Sequence, residues 1–165
     1  MTIQPIRSSA ALLVAASVVA CGGKVDEPPA KHEHHAPHHG ALEVLGDEFA
    51  HVELVLDPET GRLSAYVLDG EAENPVRIAQ GSLRIHTTGL AGGDTAVVLN
   101  AVANALSGER TGDTSQFEAA SERLKGVVSF AGSLETITVR GMKFDAVAIG
   151  YPDGNEHKEK RDGAK

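Results

Sequence analysis

Residues 49–69 read FAHVELVLDPETGRLSAYVLD. In the first half, Ala50, Val52, Leu54 and Leu56 share one side, and His51, Glu53 and Asp57 share the other. A period of two with one apolar side predicts a half-buried strand. Asp57-Pro58-Glu59-Thr60-Gly61 follows, with proline to start a turn and glycine to accept positive φ. Arg62 to Asp69 then alternates again, with Leu63, Ala65 and Val67 on one face. Two alternating runs joined by such a loop predict a β-hairpin.

The same pattern recurs down the chain. Val76–Ala79 is a short strand candidate, and Ser82–Thr88 alternates with Leu83 and Ile85 inward and Arg84 and His86 outward. Thr95–Ala105 reads two ways: Val97, Val98 and Leu99 suit a buried strand, whereas Val98, Val102, Ala105 and Leu106 also keep helical spacing. The strand is the preferred reading. Ser115-x-x-Glu118, with Phe117, Ala120 and Leu124 behind it, resembles a capping box and predicts one short helix within 116–125. Ser133–Arg140 and Met142–Tyr151 form a second hairpin around Gly141, which Pro152 ends. Short alternating strands separated by turn residues predict an all-β, antiparallel fold, either a β-sandwich or an open barrel, with one short helix.

The flanks have a different composition. Ala10–Ala20 is an apolar run broken only by Ser17, too short to span a bilayer and suited to the apolar core of a secretory signal. It ends in Val18-Val19-Ala20-Cys21, which resembles the lipobox of bacterial lipoproteins, and the chain's single cysteine stands where that motif needs it. The resemblance implies cleavage after residue 20 and lipid attachment to Cys21. The plainer alternative is a signal peptide followed by a stray cysteine. With the thiol acylated, no disulfide or Cys ligand remains. The expected organisation is then a signal peptide at 1–20, a His-rich flexible tether at 21–40, a β-domain at 41–152 and a disordered charged tail at 153–165. A twenty-residue tether would span roughly 25 Å root-mean-square.

The leader carries Arg7 and no acid, so removing it leaves 14 of the 15 basic residues against 23 acidic ones, a net charge of −9 with histidine neutral. That balance repels nucleic acid and anionic lipid headgroups. It tolerates cations.

The stretch HHAPHHGALEVLGDEFAHVELVLDPETGRLSAYVLDGEAENPVRI is similar to a small His-rich periplasmic domain. That domain is found at the N-terminus of membrane-fusion subunits of heavy-metal efflux pumps, and in free-standing bacterial lipoproteins of unknown function. SQFEAASERLKGV to ITVRGMKFDAVAIGYP resembles the second half of those lipoproteins. The resemblance covers most of the mature chain, more specifically in its first half. It implies a metal connection and a metal-efflux or other envelope protein as partner. The long coiled-coil hairpin of a fusion subunit is missing, so the chain is not itself such a subunit.

The chemistry lies in histidine. His32, His34, His35, His38 and His39 fall within eight positions. Imidazole suits zinc, copper(II) and nickel, and several of these rings can share one ion. A flexible cluster must overcome about 1–2 kcal/mol of backbone entropy per residue it orders. It should therefore bind modestly, and release metal as pH falls through the ordinary imidazole range of about 6.5. The alternative is a solvated leader that chelates only as any polyhistidine does. A sharper expectation is a folded site. His51 and Glu53 leave one strand face about 6.5–7 Å apart, and His86 faces outward on another strand. Were those strands neighbours, the three could complete a site with a tether histidine such as His39. His157, near the end of the chain, is incidental. With Met142 and a lipidated Cys21 as the only sulfur donors, a cuprous carrier is disfavoured.

No G-x-S-x-G, H-E-x-x-H, phosphate loop or dinucleotide fingerprint occurs, so nothing asks for an enzyme. The expectation is a lipid-anchored, periplasm-facing protein of the bacterial envelope that binds divalent metal through its His-rich tether. It would meet the membrane through Cys21 and would not bind nucleic acid. Gly22 after the cysteine lacks the usual inner-membrane retention signal, which favours the outer membrane. The alternative function is a protein–protein interaction module with the tether as a spacer.

Overall fold

The computed structural model describes residues 34–155. The expected signal peptide, Cys21, His32 and the tail from 156 onward, His157 included, lie outside the described residues.

Among the described residues, eight strands form one antiparallel sheet: β1 (Ala41–Leu45), β2 (Ala50–Asp57), β3 (Arg62–Leu68), β4 (Ser82–Thr88), β5 (Thr95–Ala101), β6 (Gln116–Ala120), β7 (Phe130–Val139) and β8 (Met142–Tyr151). Their spatial order is β1-β2-β3-β6-β5-β4-β7-β8. The sheet curls into a nearly closed, barrel-like form, in keeping with the sandwich or open barrel expected. The β2–β3 hairpin pairs Leu54 with Ala65 and Leu56 with Leu63, which fixes the face that carries the apolar set. Ala50, Val52, Leu54, Leu63, Ala65 and Val67 enter the interior, joined there by Leu83, Ile85, Leu99 and Phe117. Each fully buried aliphatic side chain contributes about 1.5–3 kcal/mol. The Asp57 carboxylate holds the turn by accepting from Glu59 N at 2.9 Å and from the Thr60 hydroxyl at 2.6 Å.

The seam between β1 and β8 is bridged mainly by side chains. No β1–β8 ladder forms. Instead Glu43 Oε1 accepts from Gly150 N at 2.7 Å. Asn155 donates its N–H to Leu42 O at 3.2 Å, accepts from Val44 N at 2.6 Å and donates through Nδ2 to Ala148 O at 2.9 Å. Edge groups that another strand would have satisfied are met by these two residues. The folded unit therefore runs past residue 152, after which the charged tail was expected, and Asp153–Asn155 belongs to it.

Two local expectations change. The helix expected within 116–125 shrinks to a 3-10 turn at Glu122–Leu124, capped by Ser121, whose hydroxyl accepts from Arg123 N. Residues 116–120 are β6, with Phe117 paired to Ala65 and buried. Ser115 does not cap, because its hydroxyl donates to Glu109 at 2.6 Å. Phe117 and Ala120, three apart, would share a face in a helix but take opposite faces in a strand; here Phe117 is buried and Ala120 exposed, and the long-range ladder decides. In β7, the buried positions switch from Leu134 to Ile137 and Val139. Pairing lapses between Leu134↔Val147 and Thr136↔Asp145, where Ala146 adopts φ 51°. The two strands exchange faces there, which a strict alternation does not foresee. The segment 76–79 makes only the isolated bridge Ile78↔Thr114, and 95–101 is a strand, as preferred.

Candidate functional site

The outer face of β2 should meet solvent, yet His51 and Glu53 are both 0% exposed. Residues 34–40, the last part of the expected tether, fold back over that face as a strap. Pro37 occupies the second position of a turn in which His39 N donates to Ala36 O at 3.1 Å, and His39 takes φ 60°. Gly40 then passes so close to β2 that a Cβ there would lie 2.3 Å from Leu54 O, so only glycine fits. Beneath the strap, Leu42, Leu68 and Ala72 form a second small apolar cluster, and Ala36 packs on it.

Glu53 holds the strap. Its Oε1 accepts from His38 N and Gly40 N, each at 2.8 Å, and its Oε2 accepts from His38 Nδ1 at 2.7 Å. A carboxylate has about four acceptor sites, so three are used. The His38 ring lies flat on Tyr66, with centroids 3.7 Å apart and planes 9° from parallel. Tyr66 is the cross-strand partner of Glu53, so one ladder position supports both faces of the contact.

His51 is held differently. Its Nδ1 lies 3.0 Å from the Asp69 carbonyl. A carbonyl only accepts, so Nδ1 carries the proton and, in the neutral ring, the lone pair sits on Nε2. That atom is buried with no hydrogen-bond partner. The His34 ring stands 4.7 Å away, centroid to centroid, tilted by 55°.

Asp69 owes its position to its own turn. Its carboxylate accepts from Glu73 N at 3.0 Å, Asn74 N at 3.2 Å and Asn74 Nδ2 at 2.8 Å. Burial alone would raise this carboxyl, but those bonds and Arg140 outweigh it and hold it below the ordinary Asp range. The folded value is thus depressed. Its contribution is complete above the unfolded value of about 3.9 and is lost as pH falls through the lower folded value. Acidification below about pH 4 should therefore loosen the turn that presents the carbonyl to His51. Glu73 and Asn74 amide shifts followed by NMR against pH check this, and Asp69→Asn should flatten the profile.

The remaining expected residues are placed as follows. His35 and His39 are exposed on the strap. His86, on β4, is 53% exposed and lies 3.5 Å from Glu135, which also meets Arg84 at 3.2 Å. In the sheet, β3, β6 and β5 separate β2 from β4, so His86 does not join His51 and Glu53. The folded site expected from His51, Glu53, His86 and His39 does not assemble, because its premise of neighbouring strands fails. Glu53 is occupied in holding the strap. Among the described residues, no group of three or more His, Cys, Asp or Glu side chains is gathered to hold a metal ion. Tyr66 and the Asp69 carbonyl were missed by sequence reasoning. The hairpin register alone would have placed Tyr66 opposite Glu53 and Leu68 opposite His51.

No family model, no curated protein and no solved structure matches this chain.

Proposed function

We propose that this chain is a lipid-anchored, periplasm-facing protein of the bacterial envelope that binds divalent transition metal through its His-rich segment. Zinc, copper(II) and nickel are the candidate ions, held for buffering or transfer. The observation that carries this reading is the Glu53–His38 contact, 2.7 Å long, on a ring whose side chain is still 43% exposed. A carboxylate on Nδ1 fixes the tautomer and orients the ring, leaving Nε2 as the donor atom, which is how metal-ligating histidines are commonly supported. The other strap histidines stand within a few residues of it, and the acidic balance of the chain does not repel cations. The resemblance to the His-rich periplasmic domain of metal-efflux systems supports the same reading, with an efflux or other envelope protein as the recipient. The lipobox-like Val18-Val19-Ala20-Cys21 supports the anchor. No catalytic step is part of the proposal.

Isothermal titration of the full chain with Zn²⁺ and Cu²⁺, beside a variant with His32, His34, His35, His38 and His39 all changed to alanine, tests it. The variant should bind at least about tenfold more weakly, as expected when ligands or their supports are removed. Equal binding by the two proteins, with circular dichroism showing both folded, overturns it.

A further inference from the structure

We infer that His51 and His34 form a two-imidazole site for a divalent cation beneath the strap, with His51 Nε2 as its fixed, buried ligand. The inference rests on the metal-binding reading above and adds a specific site and a ligand from the barrel itself. Three observations carry it. First, His51 is 0% exposed, and its Nε2 finds no hydrogen-bond partner. A buried acceptor left without a partner costs about 1–3 kcal/mol, and coordination to a cation removes that cost. Second, the Asp69 carbonyl, 3.0 Å from Nδ1, sets the tautomer that leaves Nε2 as the donor atom. Backbone carbonyls commonly serve metal-ligating histidines in this way. Third, the ring presented to His51 is another imidazole. An ion bonded to one nitrogen of each ring at about 2.0–2.1 Å would keep the ring centres within about 6.4 Å of each other. The His34–His51 separation of 4.7 Å falls inside that limit.

The pair supplies two neutral ligands, half of a four-coordinate shell, and water fills the rest. Open positions of this kind make a site exchangeable rather than structural. Because His34 rides on the strap and His51 on β2, an ion shared between them ties the strap to the barrel. Occupancy then adds to the hold that Glu53 already exerts through His38 and Gly40.

The test uses the full chain with His32, His35 and His39 changed to alanine, and His86 and His157 likewise, so that His34, His38 and His51 are the histidines that remain. Zn²⁺ and Cu²⁺ are the probes. One equivalent should bind, and long-range ¹⁵N NMR with Zn²⁺ should show His51 Nε2 moving to saturation while Nδ1 keeps its proton. His51→Asn and, separately, His34→Ala should each weaken binding at least about tenfold. Unchanged affinity in both variants, or a saturated protein whose His51 Nε2 has not moved, overturns the site. Should His51→Asn fail to fold, His34→Ala and the His51 resonance decide. Binding by the unmutated chain without any response at His51 removes this site and leaves the wider metal reading standing. Absence of all binding by the unmutated chain removes both.

Discussion

Glu53→Ala should lower the unfolding free energy by about 2–4 kcal/mol and release residues 34–40 from the outer face of β2. The carboxylate takes two backbone N–H groups at 2.8 Å and the His38 ring at 2.7 Å, and it is wholly buried. Alanine removes the common acceptor and leaves the His38 and Gly40 amides without a partner. It also removes what orients His38 on Tyr66. Urea unfolding measures the global loss, and hydrogen exchange at the His38 and Gly40 amides measures the local one. The amides should exchange far faster than in the parent, while the Leu54 and Leu63 amides of the β2–β3 ladder follow the global change. Glu53→Gln sharpens the reading. Its amide oxygen can still accept from both N–H groups, but its NH₂ meets the protonated Nδ1 of His38. It should retain the strap and lose the ring orientation, with a cost of about 1 kcal/mol. A Glu53→Ala protein that unfolds like the parent, with both amides still protected, would show that the strap is held by its apolar contacts instead.

That experiment bears on what could be read from sequence. The β2–β3 hairpin was legible because alternation and turn chemistry agree there, and the same agreement holds at Ser82–Thr88 and in the turn at Gly141, although β7 and β8 exchange faces farther from that turn. Alternation says which side chains share a face. It does not say what covers the face. His51 and Glu53 therefore read as the solvent side of a strand, although a seven-residue polar segment lies across them. Nothing in the composition of that segment marks it as ordered. Its order comes from one buried carboxylate 13–15 residues away in sequence and from a glycine that tolerates a close approach. Asn155 was illegible for a similar reason, since it is held by edge groups of β1 more than a hundred positions earlier. His86 faces outward as expected, but it does not neighbour His51 and Glu53, because strand order depends on crossovers and β3, β6 and β5 lie between β2 and β4. The histidine cluster itself was plain in the sequence. The division of labour within it, with His38 on Glu53 and His34 against His51, needed the fold.

Phe117→Ala should cost about 3–5 kcal/mol, the range for emptying a fully buried aromatic position. Phe117 is 0% exposed and the largest of the fully buried side chains. It also sits at a structural neck. Its strand pairs with β3 over five residues but with β5 through only two, one of them Phe117 opposite Ala101. The cavity would open where β6 joins the two halves of the sheet, and the alanines at 65 and 101 opposite it are too small to fill the space. The transition should stay cooperative and shift as a whole in urea. The strap lies on the opposite side of the sheet wall from this core position, because Glu53 and His51 face outward while Leu54 faces in. Zn²⁺ affinity, measured well below the lowered midpoint, should therefore stay within about twofold of the parent, as for distant sites that share no partner. Glu53→Ala should do the reverse, disturbing the strap and its histidines more than its smaller global cost suggests. Weakened cation binding by Phe117→Ala while its barrel remains folded would mean that the imidazoles depend on core packing throughout the barrel, and the strap would then lose its standing as a separately held element.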